Sequence, residues 1–226
     1  MDETKNQIVD EILAAFDKKD WTLAVNISGE ALAEADGEYA KLKNRGQNTD
    51  MELEYFGLMA GFHCMSLLYA SEVKMLLNTS LVCMYQIEND GYKDIDIDES
   101  LMVISATALA AHTVFCLSTE QFEPDDEVKE HCLTMGRYIA SYCYYLYNKV
   151  NKELPDSTFT EFVYPILNDA MNLFKIDTPT IEVCGKQINP AEDRMEIMAD
   201  LLGRARALGF FDEPQNHFDE EESLLG

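Results

Sequence analysis

Apolar residues recur at intervals of three and four along most of the chain, the spacing that lines one face of a helix. Ile8, Val9, Ile12, Leu13 and Phe16 share such a face. Trp21, Ala24, Val25, Ser28, Ala31, Leu32 and Ala35 share the next, with Lys18-Lys19-Asp20 as a tight joint between the two. Thr49-x-x-Glu52 fits a capping box and predicts a third helix through Leu53, Phe56, Ala60, Cys64 and Leu67. Gly57 and Gly61 lie four apart in it and leave room for a close neighbour. The pattern runs on to about Asn89, too long for one ordinary helix, and a break is predicted near Asn78. Asn89 to Asp98 is predicted as a solvated acidic loop, with Asp98 or Ser100 capping the helix that follows.

That next helix carries the most apolar stretch of the chain. Ser100 to Thr119 reads SLMVISATALAAHTVFCLST, a run of 20 residues without a formal charge between Glu99 and Glu120. It is long enough to span a bilayer. Its hydroxyls and His112 make it polar for a span, and its acidic flanks offer no Lys or Arg to set an orientation. The reading adopted is a buried central helix near 100–119, not a membrane segment.

Pro124 and the acids after it predict another helix start, followed by Val128, Cys132, Met135, Ile139, Tyr142, Leu146 and Val150 at steps of three or four. Thr158-x-x-Glu161 opens a helix that ends near Lys175 and contains Pro165. Residues 178–188 leave room for a short hairpin turned at Cys184-Gly185. Asn189 as N-cap, Pro190, Glu192 and the stop at Gly209 mark the last helix. The expectation is an all-α fold of seven to eight helices, a helix-hairpin array or bundle. It forms one domain over residues 1–211, with an acidic tail over 212–226.

Charge narrows the partners. Acids number 42 against 17 bases, a formal net charge of −25, which repels nucleic-acid phosphates and anionic membranes. The stretches 88–99 and 212–226 each carry six acids, so the packed body is less extreme than the total. Six cysteines show no CxxC spacing. Most fall in apolar helical patterns, where a thiol behaves as a small hydrophobe. An acidic, polar N-terminus without signal-peptide character and reduced thiols lead to a cytoplasmic expectation.

The segment Lys19-Asp20-Trp21-Thr22-Leu23-Ala24-Val25-Asn26-Ile27-Ser28-Gly29-Glu30-Ala31-Leu32 resembles the second half of a tetratricopeptide repeat. Trp21, Ala24, Ala31 and Leu32 fill the places of the wedge aromatic, the small residue and the closing Ala-Leu. The likeness covers residues 8–36. Ile12 stands where the family has glycine, Asp36 where it has proline, and no second copy follows at a 34-residue period. The resemblance implies a helix-hairpin array and a protein-binding role.

Catalytic signatures are missing from the sequence. Asp94-Ile95-Asp96-Ile97-Asp98 alternates like a calcium loop, but the EF-hand positions for glycine and glutamate hold Glu99 and Ser105. His63, His112, His131 and His217 make no HExxH and no paired Glu-x-x-His, and GxSxG, Walker A and GxGxxG are lacking. No catalytic residue, metal or cofactor is expected. Arg137, Tyr138 and Tyr145 are the candidate partner-binding residues, because tyrosines at a groove edge suit peptide capture. Glu220 to Leu225 resembles an acidic dileucine sorting signal. The reading is a non-catalytic cytoplasmic scaffold or adaptor for another protein that carries a basic surface. The alternatives are an acidic antagonist or immunity-type protein that blocks a basic partner, and a helical-bundle enzyme using the buried His112.

Overall fold

Five helices end on the same backbone device, and those ends decide where the chain reverses. The computed structural model describes residues 3–91, 94–120, 126–183 and 185–211. In chain order these form α1 (Glu3–Asp17), α2 (Trp21–Asn44), α3 (Asp50–Tyr69), α4 (Val73–Asp90), α5 (Ile95–Glu120), α6 (Asp126–Glu153), α7 (Phe159–Phe174) and α8 (Arg194–Ala207). An antiparallel hairpin of β1 (Ile181–Val183) and β2 (Lys186–Ile188) lies between α7 and α8. The fold is an all-α helical bundle. The tail over 212–226, Cys184 and the Pro124 helix start lie outside the described residues.

Lys19, Gly46, Ser71, Lys175 and Gly209 adopt left-handed φ. After each, the next N–H reaches back to a carbonyl in the last helical turn. These bonds are Asp20 N to Ala15 O (3.0 Å), Gln47 N to Leu42 O (3.1 Å), Glu72 N to Leu67 O (3.0 Å), Ile176 N to Met171 O (2.9 Å) and Phe210 N to Ala205 O (3.0 Å). This six-to-one closure satisfies carbonyls that a helix end leaves open. Three of the five left-handed residues are not glycine, so the usual sequence marker is lacking. The predicted break near Asn78 is therefore displaced. The chain turns at Ser71 (φ 62°), and Asn78 lies inside α4.

The start of α3 stands where predicted, with Thr49 as its N-cap, but its side-chain bond comes from elsewhere, and the starts of α5 and α8 shift. Asn48, not Thr49, supplies the side-chain bond at the start of α3, its Oδ1 accepting from Asp50 N at 2.9 Å. Helix α5 begins at Ile95 rather than after Asp98, with Asp94 Oδ1 accepting from Asp96 N at 3.0 Å. The Asn189-Pro190 start is a turn instead: Asp193 N donates to Asn189 O (2.8 Å) and Asn189 N to Asp193 Oδ2 (2.8 Å). This turn delays α8 to Arg194, with Asp193 as its N-cap.

Helix α5 is the centre of the bundle, packed against α3, α4, α6 and α7. Every residue from Leu101 to Leu109 is buried, which needs a helix apolar on all sides. Among the described residues it is the one helix long and apolar enough to cross a membrane, and 67% of that apolar window is packed inside.

Small residues set the close crossings. A Cβ on Gly57 would lie 3.3 Å from the Ser100 Cβ, and one on Gly61 3.8 Å from the Val103 Cγ1. The predicted close neighbour of these glycines is thus α5. At the hairpin of α1 and α2, Trp21 stacks on Tyr69 of α3 with centroids 4.6 Å apart. Gly136 of α6 meets the buried Phe174 ring of α7 face on, and a Cβ there would sit 2.2 Å from Phe174 Cε1. Gly136→Ala is therefore expected to lower the stability measured by urea unfolding by about 1–3 kcal/mol, because overpacking forces a buried ring to move. A variant as stable as wild type would contradict this packing.

Candidate functional site

Arg194 is the first residue of α8, and its side chain turns inward among α4, α5 and α6. Its Nη1 donates to Glu88 Oε1 (2.9 Å) and Asp98 Oδ1 (3.2 Å), and its Nη2 to Asp98 Oδ1 (3.2 Å) and the Tyr145 hydroxyl (3.1 Å). The Tyr142 hydroxyl donates to Glu88, and Lys149 pairs with Asp98. Two carboxylates thus face two cations. Burial opposes the Arg194 charge, but the Glu88 charge, Tyr142, Tyr145 and Asp98 together hold its pKa above the ordinary value. Burial, reinforced by Glu88, raises the Tyr142 pKa well above normal, so this phenol stays a donor.

This cluster corrects the reading of residues 89–98 as a solvated acidic loop. Asp98 is 1% exposed and Glu88 9%. The Asp98 carboxylate is taken by Arg194 and Lys149 and is not free to share a cation. No group of three His, Cys, Asp or Glu side chains suited to a metal occurs among the described residues.

The three residues singled out on α6 do not form one surface. Tyr138 and Tyr145 are seven apart and share the inner stripe with Tyr142, whereas Arg137 is rotated about 100° away. Tyr138 is 4% exposed, and burial together with the nearby Asp200 pushes its phenol up to about 12. Tyr145 is half-buried beneath the Arg194 guanidinium, which lies 5.1 Å from its ring centre. Arg137, in contrast, is exposed and lines one cleft of about 240 Å³ with Lys175 and Thr178 and another of about 360 Å³ with Lys129 and Leu133, and neither tyrosine lines either of these two clefts.

The described histidines are tied into packing. His63 Nδ1 meets Ser28 Oγ at 3.0 Å and joins α2 to α3, and burial lowers its pKa. His131 Nδ1 lies 3.2 Å from Arg204 Nη1. His112 is fully buried, stacked at 6.0 Å on Phe174, with Nε2 2.8 Å from the Cys132 carbonyl. A carbonyl can only accept, so Nε2 carries the proton. Nδ1 is buried with no hydrogen-bond partner among the described residues. No carboxylate bonds this imidazole among them.

An open feature lies between α2 and α4. Tyr39 and Lys43 of α2 both reach the Asp90 carboxylate of α4, and Gln86 Nε2 donates to Asp36 Oδ1 at 2.7 Å. These side chains bridge a groove of about 330 Å³ lined by Tyr39, Lys43, Val82, Tyr85, Gln86 and Asp90. Beside it α4 presents Met75 (51% exposed), Val82 (44%) and Tyr85 (36%). Steps of seven and three put them on one helical face. The sequence reading missed this row because the intervening Leu76, Leu77, Leu81 and Met84 are core, so α4 is apolar on two sides at once.

The sequence matches no protein-family model, and neither a curated protein nor a solved structure matches it.

The His112 environment gives a pH test. Burial, only partly offset by the Cys132 carbonyl, pushes its pKa from 6.5 down to about 4. Between those values the unfolded chain binds a proton that the folded one refuses. The stability present above pH 6.5 is therefore lost as pH falls towards 4, by about 3 kcal/mol from this group. His63 adds in the same direction. Urea unfolding at pH 7 and pH 4.5 is expected to show a smaller loss for His112→Gln than for wild type. Equal losses would show that His112 titrates normally.

Proposed function

We propose that this chain is a non-catalytic protein-binding scaffold that docks a partner on the α2/α4 groove. The observation that carries this reading is the exposed row Met75, Val82 and Tyr85 beside a groove of about 330 Å³. Helix-in-groove recognition uses anchors at these spacings. An exposed tyrosine gives large apolar area with a polar tip at little entropic cost. The net charge of −25 favours a basic partner and speeds its approach at low salt. The partner that fits is a basic amphipathic segment, its apolar face on Val82 and Tyr85.

A photo-reactive residue at position 82, with a control at the exposed Tyr164 of α7, tests this in lysate. Protein adducts are expected from position 82 and not from 164, and Tyr85→Asp is expected to abolish them without changing the melting temperature. Hot-spot side chains are worth about 2 kcal/mol or more, roughly 30-fold in affinity. Adducts unaffected by Tyr85→Asp would remove the groove from the reading. If capture then vanished only at high salt, the acidic antagonist would be the better account.

A further inference from the structure

The α2/α4 groove carries a seat for a cation, and the chain fills it with a lysine of its own. Tyr39 and Asp90 make the seat. The Tyr39 ring lies against Phe56 with centroids 6.4 Å apart, and its hydroxyl donates to Asp90 Oδ2. Lys43, one turn further along α2, donates to Asp90 Oδ1 and holds its ammonium 5.4 Å from the centre of the Tyr39 ring. A carboxylate beside an aromatic face is a setting that binds an organic cation through charge and ring together. Exposure divides the pair: the Asp90 side chain is 8% exposed and that of Lys43 is 51% exposed. The carboxylate is thus built into the groove wall, whereas the lysine reaches over it from solvent on a flexible stem. Asp36 adds a second negative charge at the groove, because its partner there, Gln86, is neutral.

We infer that the basic segment docking on this groove inserts an arginine into the seat, displacing Lys43 from Asp90 and from the face of Tyr39. The inference rests on the docking reading above and names the side chain that docks. A guanidinium suits the seat better than an ammonium does. It is planar and more weakly hydrated, so it lies flat on a phenol ring while one edge donates to Asp90 Oδ1. The displaced Lys43 gives up an exposed ion pair and returns to water, which costs little. A neutral or acidic side chain has no means of displacing it, so Lys43 also selects against such partners. Affinity is set by the same contact, because a ligand binds only in the fraction of molecules whose seat is open.

The test titrates methylguanidinium into the full chain at constant ionic strength and follows the backbone amide resonances. Lys43→Met opens the seat and is expected to bind the probe at least about 10-fold more tightly than wild type, with saturable shifts at Tyr39, Tyr85 and Asp90. Lys41→Met makes the same change in charge on another face of α2 and is expected to behave as wild type. Methylammonium is expected to bind Lys43→Met more weakly than methylguanidinium does. Asp90→Asn added to Lys43→Met is expected to abolish saturable binding. The proposal is overturned if Lys43→Met binds methylguanidinium no more tightly than Lys41→Met, or binds methylammonium equally well. Lys43→Ala takes its place if Lys43→Met does not fold. Photo-adducts at position 82 without methylguanidinium binding overturn the seat and leave the docking reading standing. Binding without adducts supports the seat and removes the docking reading.

Discussion

One guanidinium joins elements that are far apart in sequence. Arg194 on α8 contacts Glu88 of α4, Asp98 of α5 and Tyr145 of α6, and Lys149 of α6 completes the charge balance at Asp98. Taking these ions out of water is expensive, and their mutual attraction offsets that cost only when the geometry is complete. Arg194 also sits at a helix N-terminus, where the backbone dipole disfavours a cation. The position is tolerable because two carboxylates face it. The cluster therefore acts less as a source of net stability than as a condition on the arrangement. With one partner missing, a buried charge is left alone.

The arrangement so fixed determines what α4 shows to solvent. Glu88 faces inward to Arg194 while Tyr85, three residues earlier, faces out over the α2/α4 groove. A rotation of α4 that carried Glu88 away from Arg194 would carry Met75, Val82 and Tyr85 with it. The docking row and the buried ion cluster thus lie side by side on one helix, Tyr85 and Glu88 being about 60° apart around its axis. The apolar core supplies the rest of the positioning. Helix α5 is buried on all sides from Leu101 to Leu109, Gly57 and Gly61 let α3 lie close against it, and Phe174 lies between Gly136 and His112.

Much of this was legible in the sequence because it depends on local pattern. The uncharged run at 100–119 lies on the central helix and is buried from Leu101 to Leu109, although Val114 and Leu117 near its end are exposed, and the glycine pair on α3 meets a neighbouring helix as its spacing implies. The left-handed residues at Lys19, Ser71 and Lys175 carry no glycine, and the backbone bonds that define those ends are invisible in composition. Glu88 and Asp98 read as solvated because their neighbours in sequence are acidic. The residue that buries them lies about a hundred positions away and is itself an isolated arginine. Tyr138 and Tyr145 looked like groove residues because aromatic and polar character share one side chain. Their helical phase puts them with Tyr142 on the inner stripe, leaving Arg137 outside. The α4 row was hidden for the opposite reason, since apolar residues on both faces of a helix cannot be sorted by period alone.

Arg194→Met is the most direct test of the cluster, read by urea unfolding and by hydrogen exchange resolved along the chain. Removing one partner of a buried ion cluster is expected to cost about 3–5 kcal/mol, with α4 and α8 losing amide protection together. A variant within about 1 kcal/mol of wild type, with α4 protected as before, would show that the helices are held without it.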